Sequence, residues 1–155
     1  MKAKAVLITL ALCFAATTVV MAKTNPHMGT WKLNEAKSRF TPGAGKNHTV
    51  VYEAAGDDIK VTVDGTDGDG NATHNEWTGK FDGKCYAVTG DPTGDKRCYK
   101  VLNSRTMQLT GKMGNKVTLR GTITVSRNGK MRTVTTSGTD AKGKRFRNVA
   151  VYDKE

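Results

Sequence analysis

The sequence has 155 residues, with 25 Lys and Arg against 14 Asp and Glu, which gives a formal net charge of +11 at pH 7. This length suits one domain. No segment after residue 22 is apolar enough to span a membrane, which excludes a multi-span helical membrane protein.

The first segment, Met1 to Ala22, has the layout of a secretory signal peptide. Lys2 and Lys4 give a charged start, an apolar run follows, and the small residue Ala22 ends the segment. An uncleaved anchor is the alternative, but the run is marginal for crossing ~30 Å of hydrocarbon. We therefore expect removal of 1–22, a mature domain of 23–155, and a periplasmic or secreted location.

Alternation of apolar and polar residues with period 2 dominates the mature chain. Gly29–Leu33 is the first predicted strand, and Asn34 is positioned to cap one or two helical turns that continue through Arg39 as a short lid on one end. Turn residues separate nine further segments. These predicted strands are His48–Ala54, Asp58–Asp64, Asn71–Gly79, Lys84–Thr89, Asp95–Leu102, Arg105–Lys112, Lys116–Ser126, Lys130–Gly138 and Lys144–Asp153.

Ten strands at hairpin spacing predict an all-β fold, an antiparallel up-and-down β-barrel with a short helical segment after the first strand. Closure removes exposed sheet edges, and a β-sandwich is the alternative. In the eighth strand Ile123 and Val125 share the apolar face, opposite Lys116 and Arg120. In the tenth strand Arg145 and Arg147 are opposite the face that carries Phe146, Ala150 and Tyr152. The pattern predicts a charged exterior and an apolar interior.

The two cysteines of the mature chain predict a disulfide. Exported proteins normally pair their cysteines, and CYAVTGDPTGDKRC reads as a hairpin with a four-residue turn at 90–93. Counting outward from that turn places Cys85 directly opposite Cys98 on one face, where antiparallel neighbours are close enough to bridge. Because Tyr86 and Tyr99 take the other face, we expect the bridge on the outer wall.

Positive charge is concentrated in the second half of the mature chain. Residues 23–94 contain 8 basic and 10 acidic residues, whereas residues 95–155 contain 15 basic and 4 acidic residues. Such a field favours anionic partners, for example lipid headgroups, acidic polysaccharide or acidic proteins. A lysine-rich solvated exterior explains the same pattern without any partner.

The two ends of the domain resemble lipocalin and fatty-acid-binding (calycin) barrels. Gly29-x-Trp31 in GTWKL is similar to their G-x-W start, and Val151-Tyr152-Asp153-Lys154 is similar to the last strand of fatty-acid-binding proteins. The resemblance implies a ligand-binding barrel. Fatty-acid-binding proteins carry a carboxylate-binding Arg two residues before the terminal Tyr. Here that position is Ala150, so a carboxylate grip of that kind is not implied.

More of the chain resembles a family of small exported bacterial proteins without an established activity. The segments that carry this resemblance are GTWKLNEAKSRF, KVTVDGTDGDG, EWTGKFDGK, TVTTSGTDAKG and NVAVYDK. They are spread over most of the predicted mature domain. The resemblance implies export and a β-barrel, and no reaction.

Motifs for catalysis are missing from the sequence. The serines lack a G-x-S-x-G context, and His27, His48 and His74 are scattered. There is no C-x-x-C, no H-E-x-x-H and no phosphate-binding loop. We therefore expect a non-enzymatic protein that has no catalytic residues and no cofactor.

The acidic turn DGTDGDGN admits two interpretations. Asp67, Asp69 and Asn71 alternate as the first ligands of a calcium loop do. However, Ala72 stands where that loop needs Gly, and Thr78 stands where it needs Glu. Asp and Gly are also what a long hairpin turn uses. We favour the turn and keep these three residues as secondary metal candidates.

Candidate ligand contacts follow from the predicted barrel. A barrel of this size either fills with side chains or keeps a cavity for one small ligand, and the modest supply of aromatic rings favours a cavity. A five-residue loop around 140–143 would pair Arg132 with Tyr152 at one end of the interior, with Arg132 at its rim facing an anionic headgroup. A four-residue loop would reverse the pairing. Trp31 and Trp77 are further candidate contacts, although both also suit the core.

Two functions remain open from the sequence. The first is an exported barrel that carries or buffers a small amphipathic ligand. The second is a basic interaction module that docks on an anionic surface or inhibits an acidic secreted protein. A basic barrel with aromatic residues also suits nucleic acid, but export argues against nucleic acid as the native partner.

Overall fold

Ten antiparallel strands close into a barrel in the computed structural model, which describes residues 25–155. The predicted signal peptide, Met1 to Ala22, lies outside the described residues. Within them the strands are β1 (Gly29–Leu33), β2 (Lys46–Ala55), β3 (Asp58–Thr66), β4 (Ala72–Gly79), β5 (Asp82–Thr89), β6 (Lys96–Asn103), β7 (Thr106–Met113), β8 (Lys116–Val125), β9 (Met131–Thr139) and β10 (Arg145–Lys154).

Each strand pairs with its neighbours in sequence, and β1 pairs with β10 to complete the cylinder. The closing register places Trp31 opposite Lys154 and Leu33 opposite Tyr152. An up-and-down barrel of this kind has no free sheet edge. The predicted fold class is therefore confirmed, and the sandwich alternative is wrong.

A single 3-10 turn, Glu35–Lys37, follows β1. Asn34 caps it as predicted, since its side-chain oxygen accepts a hydrogen bond from the Lys37 amide at 3.2 Å. The turn is shorter than predicted because Arg39 already pairs with Val149 of β10, with backbone N–O distances of 2.7 and 2.8 Å. The expected lid is wrong, since the segment lies against the side of β10 and no residue of the turn is buried.

The barrel has two unlike ends. One end, which we call the closed end, contains residues 25–28 and the turns after β2, β4, β6 and β8. His27 is only 2% exposed there, and its carbonyl oxygen accepts a 2.9 Å hydrogen bond from the Trp31 indole. Met28 packs against the core beside them. The loops after β1, β3, β5, β7 and β9 lie at the opposite end, which is the mouth.

Burial follows the predicted alternation of faces. Ile123, Val125, Ala150 and Tyr152 are all less than 10% exposed, and the predicted outward residues are exposed. These outward residues are Lys116, Arg120, Arg145 and Arg147. Val151 is an outward residue that is nevertheless buried, because the segment with Ser38 covers it and the Ser38 hydroxyl accepts its amide hydrogen bond at 2.9 Å.

Gly121 in the middle of β8 is required by a close approach of β9. A Cβ added there would lie 2.7 Å from the Thr135 carbonyl oxygen, which is closer than real Cβ contacts. Glycine inside a strand commonly marks such contact between backbones. Tight packing of neighbouring strands therefore explains the glycine at this position.

The predicted disulfide joins β5 to β6. Cys85 and Cys98 are direct cross-strand partners with a Cα–Cα distance of 4.2 Å. Lys96 and Lys100, on the cysteine face of β6, are exposed, while Tyr99 on the other face is buried. The bridge therefore lies on the outer wall, as predicted, and fixes the register of this hairpin.

Removing the bridge should destabilise the barrel. The Cys85→Ala/Cys98→Ala variant should lose ~3 kcal/mol of unfolding free energy, because the unfolded chain is no longer closed into a loop of about fourteen residues. Urea unfolding with and without dithiothreitol measures the loss. Reductant should destabilise the wild type by the same amount and leave the double variant unchanged. Two free thiols per unreduced wild-type chain would contradict the bridge.

The face assignment is tested by single substitutions on one strand. Arg120→Ala should change the unfolding free energy by less than ~0.5 kcal/mol, because the side chain is exposed. Ile123→Ala should cost ~2–5 kcal/mol, because it leaves a cavity in the core. Urea unfolding of the two variants compares them directly. Equal losses would mean that the faces of β8 are wrongly assigned.

Candidate functional site

A cavity of about 330 Å³ opens at the mouth and extends into the barrel. Four loops surround its entrance, at residues 41–45, 66–69, 91–93 and 140–144. This volume lies at the lower end of the range for small-molecule sites. The interior is therefore partly hollow, as the modest supply of aromatic rings predicts.

Aliphatic side chains from strands around the barrel form the sides of the cavity. They come from β2, β3, β7, β8, β9 and β10, and they are Val50, Val63, Leu109, Ile123, Val134 and Ala150. The large rings pack lower in the barrel, where Trp77, Phe81 and Tyr99 form one cluster with centroids 4.8–6.2 Å apart. The closed half is thus filled by rings, and the half near the mouth stays open.

Arg132 lines the cavity where it approaches the closed end. β9 pairs Arg132 with Tyr152 and Val134 with Ala150, which confirms the register predicted from a five-residue loop. The guanidinium carbon lies 5.0 Å from the ring centroids of Trp31 and Tyr52, and 4.7 Å from that of Tyr152. Arg132 is only 2% exposed, so it is enclosed and does not lie at a solvated rim as predicted.

Within residues 25–155, Arg132 forms no ion pair with a carboxylate. The Nε and Nη1 atoms of Arg132 are buried without a hydrogen-bond partner. Three aromatic faces offset part of the desolvation cost of this cation, by ~2 kcal/mol or more for each well-placed ring. Ring faces accept no strong hydrogen bonds from these N–H groups. Arg132 is therefore a buried cation with two nitrogens, Nε and Nη1, that lack a hydrogen-bond partner.

A second cavity arginine, Arg97, is neutralised. Its Nη2 donates to an Asp91 carboxylate oxygen at 2.7 Å and to the Asn75 side-chain oxygen at 3.0 Å. Burial alone would raise the pKa of Asp91, but the Arg97 charge and hydrogen bonds from Thr93 hold that pKa below its usual range. Arg97 therefore has a compensating carboxylate, and Arg132 does not.

Three further residues line the cavity that were not predicted from the sequence, namely Asn75, Asp91 and Arg97. Alternation with period 2 contains the signal for two of them, because Arg97 shares the face of Tyr99 and Asn75 shares the face of Trp77, and both aromatic residues were predicted to lie inward. The position of Asp91 could not be predicted from alternation, because the residue lies in a turn and contacts Arg97 only through the fold of the hairpin.

Tyrosine hydroxyls near Arg132 stay protonated at neutral pH. Burial raises the pKa of Tyr152 to about 12, although the nearby Arg132 charge opposes the increase. Burial also raises the pKa of Tyr99. The hydroxyl of Tyr152 therefore adds no negative charge beside Arg132, and the hydroxyl of Tyr99 is likewise neutral, beside Arg97.

The predicted ligand contacts separate into two groups. Arg132 and Tyr152 line the cavity, whereas Trp31 and Trp77 do not. The Trp31 ring packs against the Arg132 guanidinium, and the Trp77 indole donates a 2.8 Å hydrogen bond to the Arg97 carbonyl oxygen. This geometry does not support direct ligand contact by these two tryptophans, because both fill the core between the cavity and the closed end.

The candidate metal ligands form a turn. The Asp67 carboxylate accepts hydrogen bonds from the amides of Asp69 and Asn71, each at 2.9 Å, and Asp69 pairs with Lys142 across the mouth at 2.7 Å. Residues 25–155 contain no group of three or more His, Cys, Asp or Glu placed to hold a metal ion. The turn interpretation accounts for all three residues.

Comparisons with known proteins assign no family. No family model matches the chain, and no curated protein matches it significantly. Among solved structures, the chain is similar to one described as EF1p2_mFAP2b bound to DFHBI, with 12% identity over 84% of this chain and 94% of the other and a TM-score of 0.46. A likeness of this degree assigns no ligand to this chain. Within residues 25–155, no helix is long and apolar enough to cross a membrane.

His27 should make the closed end sensitive to acid. Burial, with the charges of Arg132 and Lys154, lowers the pKa of His27 from 6.5 to about 4. The unfolded chain therefore binds more protons between these pH values, and stability should fall as the pH falls through this window, by ~3 kcal/mol at most. Urea unfolding at neutral and acidic pH measures the loss.

In that experiment, His27→Phe should abolish this part of the acid dependence. His48→Phe is the matched control, because His48 lies on β2 with its ring against Thr66 and away from the closed end. The control should keep the wild-type dependence. If the curves of wild type and His27→Phe run parallel, His27 does not carry the effect.

Proposed function

We propose that this protein is an exported, non-enzymatic barrel that binds one small amphipathic anion, as a carrier or buffer. The observation that carries the proposal is the uncompensated charge of Arg132 next to a cavity with aliphatic sides. An anionic head near Arg132 would supply the missing acceptors, and an apolar body would fill the space up to the mouth. Charge-assisted hydrogen bonds of this kind contribute ~1.5–3 kcal/mol.

Polar groups higher in the cavity support a ligand of mixed character. Asn148 is 8% exposed and its side-chain oxygen accepts a 2.9 Å hydrogen bond from the Thr41 amide, so the amide group is oriented from the mouth loop. Asn75 is oriented by Arg97 on the other side. A few fixed polar groups in a mainly apolar cavity are typical of small-molecule sites.

Export is supported by the leader-like segment Met1 to Ala22 and by the paired cysteines. Disulfides persist mainly in oxidising compartments such as the periplasm and the extracellular space. A barrel with a rigid wall and one open end suits storage or transfer of a ligand there, since binding needs no chemistry beyond burial and charge pairing.

The test uses two fluorescent probes that share one aromatic body. Anilinonaphthalene sulfonate carries an anionic group, and phenylnaphthylamine lacks it. Arg132→Met keeps an unbranched stem about as long as the aliphatic part of arginine and removes the charged guanidinium group. It should weaken binding of the sulfonate by about tenfold or more and leave binding of the neutral probe nearly unchanged, because only the sulfonate pairs with Arg132.

Arg127→Met is the matched control, since Arg127 is exposed in the turn after β8 and the net charge changes equally. This control should bind both probes as the wild type does. If the two variants lose sulfonate affinity equally, or if Arg132→Met weakens both probes alike, the anion site at Arg132 is wrong. Native mass spectrometry of the purified wild type should show a bound species that Arg132→Met has lost.

A further inference from the structure

One side of the barrel carries almost no negative charge. From Lys96 to Tyr152, which covers most of β6–β10, the chain has a single carboxylate, Asp140. Asp140 lies in the turn between β9 and β10, where its side chain accepts hydrogen bonds from the amides of Lys142 and Lys144 at 3.0 and 2.8 Å. It caps that turn and neutralises no basic side chain on the wall.

Six exposed cations project from this side, which we name the basic wall. They are Lys96, Lys100, Lys116, Arg120, Arg145 and Arg147. None of them forms an ion pair with any residue of the described range 25–155. On the opposite side five lysines do, namely Lys32, Lys37, Lys46, Lys60 and Lys80. On that side Lys60 lies 2.7 Å from Glu76, and Lys46 lies 2.6 Å from Glu35. The positive field of the protein is therefore directed to one side.

We propose that the basic wall binds an acidic polysaccharide, a function that is independent of the cavity. Shape favours a flexible chain over a flat bilayer. The wall spans five of the ten strands, half of the barrel's circumference, and neighbouring strands lie ~4.8 Å apart, so its arc is about 20 Å. A plane touches such a convex surface along a narrow band, whereas a linear polymer bends around it.

Surface chemistry points to the same class of partner. The exposed large apolar residues of the described chain, Val101, Leu102 and Met113, lie near the ends of β6 and β7, so no apolar face is available to enter a lipid layer. The described aromatic rings are buried, pack on the core or line the cavity. The wall thus has no stacking platform of the kind that single-stranded nucleic acid uses.

Hydroxyl groups stand between the cations. The register places Ser137 directly between Arg120 on β8 and Arg147 on β10, and Thr122 and Thr124 on the outer face of β8 are also exposed. Guanidinium groups pair with carboxylates, and serine and threonine hydroxyls both donate and accept hydrogen bonds. Such alternation of charge and hydroxyl suits a polymer that itself alternates carboxylates and hydroxyls.

The test probe is polygalacturonate, a linear polymer with one carboxylate per sugar, with neutral dextran as its uncharged counterpart. The wild type should bind polygalacturonate at low salt and lose affinity steeply as salt is added, because exposed charges are screened over ~8 Å at physiological ionic strength. Dextran should not bind. The wall variant is Lys100→Gln/Arg120→Gln/Arg147→Gln, which changes exposed residues only.

The matched control is Lys32→Gln/Lys60→Gln/Lys80→Gln, which removes the same charge from the other side of the barrel. Polymer affinity should fall about tenfold or more in the wall variant and by less than about threefold in the control. Equal losses would show that net charge alone attracts the polymer and would overturn the assignment to the wall. The choice of polysaccharide would be wrong if the protein bound phosphatidylglycerol vesicles or oligothymidine more tightly than polygalacturonate. It would also be wrong if the protein bound none of these probes.

Discussion

Pairing of β1 with β10 is the constraint on which the rest of the structure depends. It joins the two ends of the described domain through the register of Trp31 with Lys154 and Leu33 with Tyr152. Closure turns alternation along each strand into an inside and an outside. It also places the Trp31 ring next to a cation of β9, although the two residues are about a hundred positions apart in the chain. Both candidate binding surfaces, the cavity and the basic wall, exist only because the sheet closes.

The two halves of the barrel interior are filled to different extents. Aromatic rings fill the closed half, and aliphatic residues line the half near the mouth. Arg132 lies at the boundary between them. A buried cation without a counter-charge costs several kcal/mol after relaxation, and the faces of three rings offset only part of it. The contrast with Arg97, which has Asp91, makes the site at Arg132 chemically distinct from the rest of the cavity.

Cations inside and outside the barrel act in different dielectric environments. Inside, a single guanidinium is weakly screened, so one anionic group of a small ligand suffices for a specific contact. Outside, each cation of the basic wall is exposed to solvent and salt, so a single pair contributes little. Only a partner with many charges gains substantial affinity from such a surface. The two proposed binding surfaces therefore use basic residues in different ways.

The strands, the turns, the outward face of β8 and the Cys85–Cys98 bridge were all predictable from the amino-acid sequence. These features depend on alternation and on hairpin geometry, which are local. The assembled barrel was needed to show that Arg97 meets Asn75 of β4, that Arg132 is enclosed without a partner, and that Trp31 and Trp77 lie below the cavity. Those outcomes depend on the depth at which side chains from different strands meet. Depth is set by stagger around the closed barrel, a long-range property that no single segment encodes.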